Sequence, residues 1–123
     1  MSNKIPISNN KKYDLLERTA LLGENIIEFA RLIKKDEVTR PLIGQIVRSG
    51  TSIGANYTEA DAGESKKDFK HKLAISRKEA KETMHWLRMI AKACPLNQQD
   101  CRTLWKERQE LVFIFSSIIN KSK

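Results

Sequence analysis

The chain has 123 residues, a formal net charge of +8, 40% hydrophobic residues and 31% charged residues. That suits one small domain with a single core, and it excludes a barrel enzyme or a two-domain nucleotide enzyme. The longest apolar run is Leu111 to Phe115, so no segment is expected to cross a membrane.

The opening MSNKIPISNNKK is polar, which predicts no secretory signal. Residues 1–12 read as a flexible basic tail carrying Lys4, Lys11 and Lys12, and residues 13–123 as the folded domain. Helix one is expected over Tyr13 to Lys35. Its residues Leu15, Leu22, Ile26, Phe29 and Ile33 recur at steps of three, four or seven. Lys34 and Lys35 would sit in its last turn, where cations favour the helix dipole.

Helix two is expected from Thr39, with Pro41 in its first turn and Leu42, Ile43, Ile46, Val47, Ile53 and Tyr57 on its apolar arc. Gly50 and Gly54 lie on that arc. Each costs about 1 kcal/mol of helix propensity against alanine, which close approach of another helix would offset. Gly63 reads as the stop.

Helix three opens on Ser65-Lys66-Lys67-Asp68, a capping-box pattern, and runs to about Ala93. Pro95 ends it, and Asn97 can cap a fourth helix reaching Lys121. No segment alternates as a strand. The expected fold is all-α, an antiparallel up-down four-helix bundle.

The charge is uneven. Residues 64–93 carry nine bases and four acids. At 100° per residue, Lys66, Lys67, Lys70, Arg77, Lys78, Lys81, Arg88 and Lys92 fall within about 120° of the helix circumference. Glu64, Asp68, Glu79 and Glu82 all fall outside that arc. Such an acid-free stripe, about 39 Å long by helix rise, suits a row of phosphates. The plainer alternative is a solvated face, or bases paired with acids of a neighbouring helix such as Glu59 and Asp61. No zinc-finger, ribonucleoprotein or basic-zipper pattern appears, so binding would be electrostatic and weakly sequence-selective.

The apolar faces exceed what one bundle needs. Helix four carries Leu104, Trp105, Leu111, Val112, Ile114, Phe115, Ile118 and Ile119, with Phe113 outside that arc. Helix three has a second apolar set, Ile75, Trp86, Met89 and Ile90. Self-association through Ile75, Trp86, Ile90 and Phe113 is expected; the alternative is scattered surface apolar residues.

Gly50-Thr51-Ser52-Ile53-Gly54 matches the nucleophile-elbow spacing, but it lies within a helix rather than between a strand and a helix. Cys94 and Cys101 lack metal-site spacing, and two cysteines make no disulfide framework, which fits a reducing cytoplasm. His71 and His85 are four turns apart. The expectation is no enzyme, no metal and no cofactor. Arg48, Ser49, Ser52, Asn56 and Glu59 share one polar face of helix two, as a packing seam or a small binding site.

The residues Arg48-Ser49, Ser52-Ile53-Gly54-Ala55-Asn56, Glu59-Ala60, Ser65-Lys66-Lys67-Asp68-Phe69, Leu73 and Glu82 together resemble a known family. It comprises bacterial four-helix-bundle proteins encoded in 23S ribosomal RNA intervening sequences, a family similar to the accessory variability protein of diversity-generating retroelements. The commoner family form has a Gly-Ser pair where this chain reads Ser76-Arg77-Lys78-Glu79. The resemblance implies an up-down bundle assembled as a ring-like homopentamer. The accessory proteins also imply nucleic-acid binding and docking to a reverse transcriptase. The combined expectation is a non-enzymatic homo-oligomer that binds RNA or DNA backbone through helix three. The alternative is an interaction module that docks an acidic partner or a reverse transcriptase.

Overall fold

The computed structural model describes residues 14–121. The expected basic tail, residues 1–12, lies outside the described residues. Four helices make up the bundle: α1 (Leu15–Leu32), α2 (Thr39–Asp61), α3 (Lys66–Ala93) and α4 (Gln98–Lys121). A 3-10 turn, Pro95–Asn97, leads into α4. There is no strand among the described residues, and the all-α expectation holds.

Local chemistry sets the helix ends. The Asp14 carboxylate accepts from the Glu17 amide at the start of α1, and the Ser65 hydroxyl accepts from the Asp68 amide at the start of α3. Helix α1 stops at Leu32, three residues before the expected Lys35, because Ile33 turns extended. Lys35 instead folds back, and its Nζ donates to the Ala30 and Arg31 carbonyls at 2.9 Å each. Asp36 then accepts from the Val38 and Thr39 amides, while the Asp36 amide donates to the Thr39 hydroxyl. Those backbone donors hold the Asp36 carboxyl below its ordinary pKa. Gly63 follows α2 as expected, but no glycine among the described residues has positive φ.

Contacts across the helices give the directions. Ser49 meets Thr83, Ile53 meets Ser76 and Glu59 meets Lys72, so α3 runs antiparallel to α2. Arg77 meets Ser116 and Ala80 meets Arg108, so α4 runs antiparallel to α3. Arg18 reaches Glu107 and Glu110, which brings α1 beside α4.

The core runs along the axis through Ile26, Phe29, Ile46, Ile53, Leu73, Leu87, Leu111 and Phe115, all buried. Tyr57 of α2 stacks on Phe115 of α4 with ring centroids 6.1 Å apart. Gly50 and Gly54 do mark a close crossing. A methyl on Gly50 would overlap the Ile26 side chain, and one on Gly54 would lie 3.3 Å from the Thr19 backbone. Glycine lets α1 and α2 approach there.

Candidate nucleic-acid interface

Helix α3 packs between α2 and α4, so it has a flank toward each neighbour and an outer face between them. On the α2 flank, Arg48 bridges Glu79 at 3.2 Å and also pairs with Glu82. Trp86 Nε1 donates to Glu82 at 2.9 Å. Lys72 Nζ sits 2.9 Å from Glu59. In the dry part of this seam the Thr83 hydroxyl donates to the Glu79 carbonyl at 2.8 Å and shares a hydrogen bond with the Ser49 hydroxyl at 3.0 Å, and the Ser76 hydroxyl donates to the Ile53 carbonyl at 2.6 Å.

The polar face expected on helix two is therefore divided. Arg48, Ser49 and Glu59 bond across to α3. Ser52 donates to the Arg48 carbonyl at 2.6 Å, and Asn56 donates to the Ser52 carbonyl at 2.9 Å, both within α2. These groups form a hydrogen-bonded packing seam. Ser52, the elbow-spaced serine, sits mid-helix with its proton committed to its own backbone.

The outer face differs. Lys66, Lys67, Lys78, Lys81, Arg88 and Lys92 are exposed. Among the described residues none of them lies within ion-pair distance of an acid. The two mid-helix acids, Glu79 and Glu82, point the other way and are held by Arg48. Lys70 is half-buried, and so is Arg77, which donates to the Ser116 hydroxyl at 3.2 Å. Of the alternative pairing with acids of the neighbouring helix, Glu59 is taken by Lys72, which lies on the α2 flank outside the stripe.

The basic character continues onto α4. Between the C-terminal half of α3 and the start of α4 lies an open groove of about 630 Å³, with Met84, Ala91 and Trp105 among its walls and Arg88, Arg102 and Lys106 at its rim. Trp105 is 38% exposed. The Arg108 guanidinium lies 5.2 Å from its ring centroid, a cation–π contact.

Two buried arginines escaped the sequence reading. Arg18 is 2% exposed and bonded to Glu107 at 3.0 and 3.2 Å. Burial pulls its pKa down, but the hydrogen bonds and charges of Glu107 and Glu110 outweigh that and hold it above the ordinary value. Arg108 is 1% exposed, with no carboxylate among the described residues in ion-pair distance. It donates to the Ala80 carbonyl at 3.4 Å and to Gln109 at 2.7 Å, and its Nε has no partner among the described residues. Burial alone lowers its pKa. Both follow the core period, Arg18 between Leu15 and Leu22, and Arg108 between Leu104 and Leu111. That period was the available signal.

The surplus apolar set needs correcting. Ile90 is fully buried in the chain's own core. Its face of α3 meets α2, so the core arc is wider than the sequence wheel allowed. Ile75 and Trp86 are half-buried. Phe113 is 76% exposed on α4 and is the one residue of the four that stands clear of the chain's own packing.

His71 and His85 are both exposed, and no group of His, Cys, Asp and Glu among the described residues could hold a metal. Cys101, rather than Cys94, is the buried cysteine. Burial, then Asp100 and Cys94, pushes its thiol up to about 12. No helix among the described residues is long and apolar enough to cross a membrane.

A family model described as 23S rRNA-intervening sequence protein matches residues 11–117. Among solved structures, the chain is similar to a protein of unknown function from the S23 ribosomal protein family of Bacteroides thetaiotaomicron. The two share 28% identity and a TM-score of 0.77, over 90% of this chain and 99% of that one. No curated protein matches.

Proposed function

The chain belongs to the 23S rRNA-intervening sequence protein family, and from that premise we propose a non-enzymatic, homo-oligomeric protein that binds RNA or DNA backbone through the outer face of α3. One observation carries the proposal. Six exposed cations line that face with no acid among the described residues to answer them, while the same helix's mid-helix acids are bound on the other side. A cation with no internal partner gains by displacing the counterions condensed on a phosphate chain. Helix α3 itself is 28 residues long, about 42 Å at 1.5 Å per residue, enough to meet several phosphates. Self-association would cover Phe113 and set several such faces around one assembly.

Binding of an RNA duplex followed by fluorescence anisotropy tests this. Neutralising six phosphates predicts a log–log salt slope of about −5. Reversing Lys67, Lys78 and Lys81 to glutamate should weaken binding at least about a hundredfold at low salt. Lys72→Glu, on the α2 flank, should change it less than about twofold. A Lys72→Glu loss about one third of the triple variant's on a logarithmic scale would mean that only net charge matters. A partner retained in pull-downs after nuclease treatment would favour an acidic protein and overturn the nucleic-acid reading. Light scattering gives the second arm: an oligomer reduced to a monomer by Phe113→Glu supports the assembly, and a wild-type monomer at micromolar concentration refutes it.

A further inference from the structure

We propose that the groove between α3 and α4 seats an unpaired nucleobase against Trp105, with the strand's phosphates held by Arg88, Arg102 and Lys106; this rests on the nucleic-acid reading and makes its substrate single-stranded.

Three observations converge. The groove, about 630 Å³, combines an apolar interior with a rim of three cations, and no carboxylate side chain among the described residues lines it. Its charge therefore complements a polyanion. Its aromatic wall is half-exposed and pre-oriented. Trp105 is 38% exposed, and the buried Arg108 guanidinium lies against one face of the indole, 5.2 Å from its centroid. An indole held this way is a stacking platform that needs no further ordering when a base arrives. Finally, the groove is continuous with the basic face. Arg88 belongs to both, while Arg102 and Lys106 stand one turn apart on α4 and extend the cations past the indole.

A strand whose backbone follows α3 can thus turn one base inward at Arg88. A duplex cannot, because its bases are committed to stacking and pairing, whereas loops and single strands offer free faces. An acidic helix of a protein partner would satisfy the rim as well, but the apolar interior spans only about two turns of α3, from Met84 to Ala91. That length suits one planar ring better than a docked helix.

The test uses the full chain with Trp86→Phe, so that Trp105 is the only tryptophan of the two present. Probes are a twelve-nucleotide single-stranded RNA, the same strand with abasic residues, a duplex of equal length, and polyglutamate. The expected result is quenching of Trp105 by the single strand and none by the abasic strand or polyglutamate. Trp105→Ala should weaken single-strand binding about tenfold and leave duplex binding within about twofold. The abasic strand keeps the protein intact, so the result stands even if Trp105→Ala disturbs Arg108. Single-strand binding with a silent Trp105, or equal loss for strand and duplex, overturns this inference and leaves the basic face standing. Quenching by polyglutamate assigns the groove to an acidic protein and overturns it too. If neither strand nor duplex binds at low salt, the nucleic-acid reading itself has failed.

Discussion

The two flanks of α3 draw on the same kinds of residue and treat them differently. Toward α2, charges and hydroxyls meet partners: Arg48 with Glu79 and Glu82, Lys72 with Glu59, Thr83 with Ser49, Ser76 with the Ile53 carbonyl. Toward α4 and the outer face, cations accumulate without anions, from the exposed lysines to Arg108, buried with an unpartnered Nε. The first flank specifies how two helices pack. The second holds exposed charge that packing does not use and that solvent and counterions answer, which leaves it free to meet a polyanion. The difference is why the proposed binding surface is placed on the α4 side of α3.

The largest effect should come from removing the most anomalous member of the second flank. Arg108→Met replaces a buried cation that has no anion with an apolar chain of similar length. Replacing even a paired buried charge by apolar side chains is often neutral or stabilising by about 1–4 kcal/mol. This cation has hydrogen bonds but no carboxylate among the described residues, so removing it should raise stability in urea unfolding. A loss of stability instead would mean that the isolated chain does answer this charge, and the contrast between the flanks would fail at its strongest point.

On the α2 flank the sign should reverse. Thr83→Val leaves the Ser49 hydroxyl, which has 0% exposure, without its cross-helix hydrogen-bond partner. An unsatisfied buried hydroxyl costs about 1–3 kcal/mol, whereas replacing both partners by apolar groups is nearly neutral. The double variant Ser49→Ala, Thr83→Val should therefore recover much of the loss seen for Thr83→Val alone. If it is as unstable as the single variant, the seam depends on shape rather than on hydrogen bonding.

Much of this arrangement can be read from the sequence, and the failures are physical. Helix count, the Ser65 cap, the close crossing at Gly50 and Gly54 and the basic face all follow from periodicity and residue chemistry. The two flanks were harder to separate. A helical wheel places Glu79 and Glu82 away from the bases, but only packing shows that Arg48 reaches both. Ile90 looked like surplus surface because a helix wedged between two neighbours buries a wider arc than one packed on a single side. Arg18 and Arg108 occupy core positions in the period, and their charge disguised them. Trp105 was visible as an apolar residue of α4, yet the groove it lines depends on Arg88 and Met84 arriving from α3, which no local pattern encodes.

The smallest expected effect concerns the boundary between the flanks. The Arg48 side chain is 46% exposed, so its pairs with Glu79 and Glu82 are solvated, and such pairs contribute about 0–1 kcal/mol. Arg48→Ala should lower stability by no more than that, and a double-mutant cycle with Glu82→Gln should give a coupling that falls as salt is raised. The same substitution removes the counter-charge of two carboxylates on α3, Glu79 and the Trp86-bonded Glu82, on the side away from the cations. They would act on a phosphate chain only through solvent, so RNA affinity should fall about threefold or less, and only at low salt. That outcome would show that the two flanks are electrically separable. A tenfold loss of RNA binding with unchanged stability would show the opposite: Arg48 would then be shielding the basic face from its own helix's acids, and the α2 seam would be part of the binding apparatus rather than only its support.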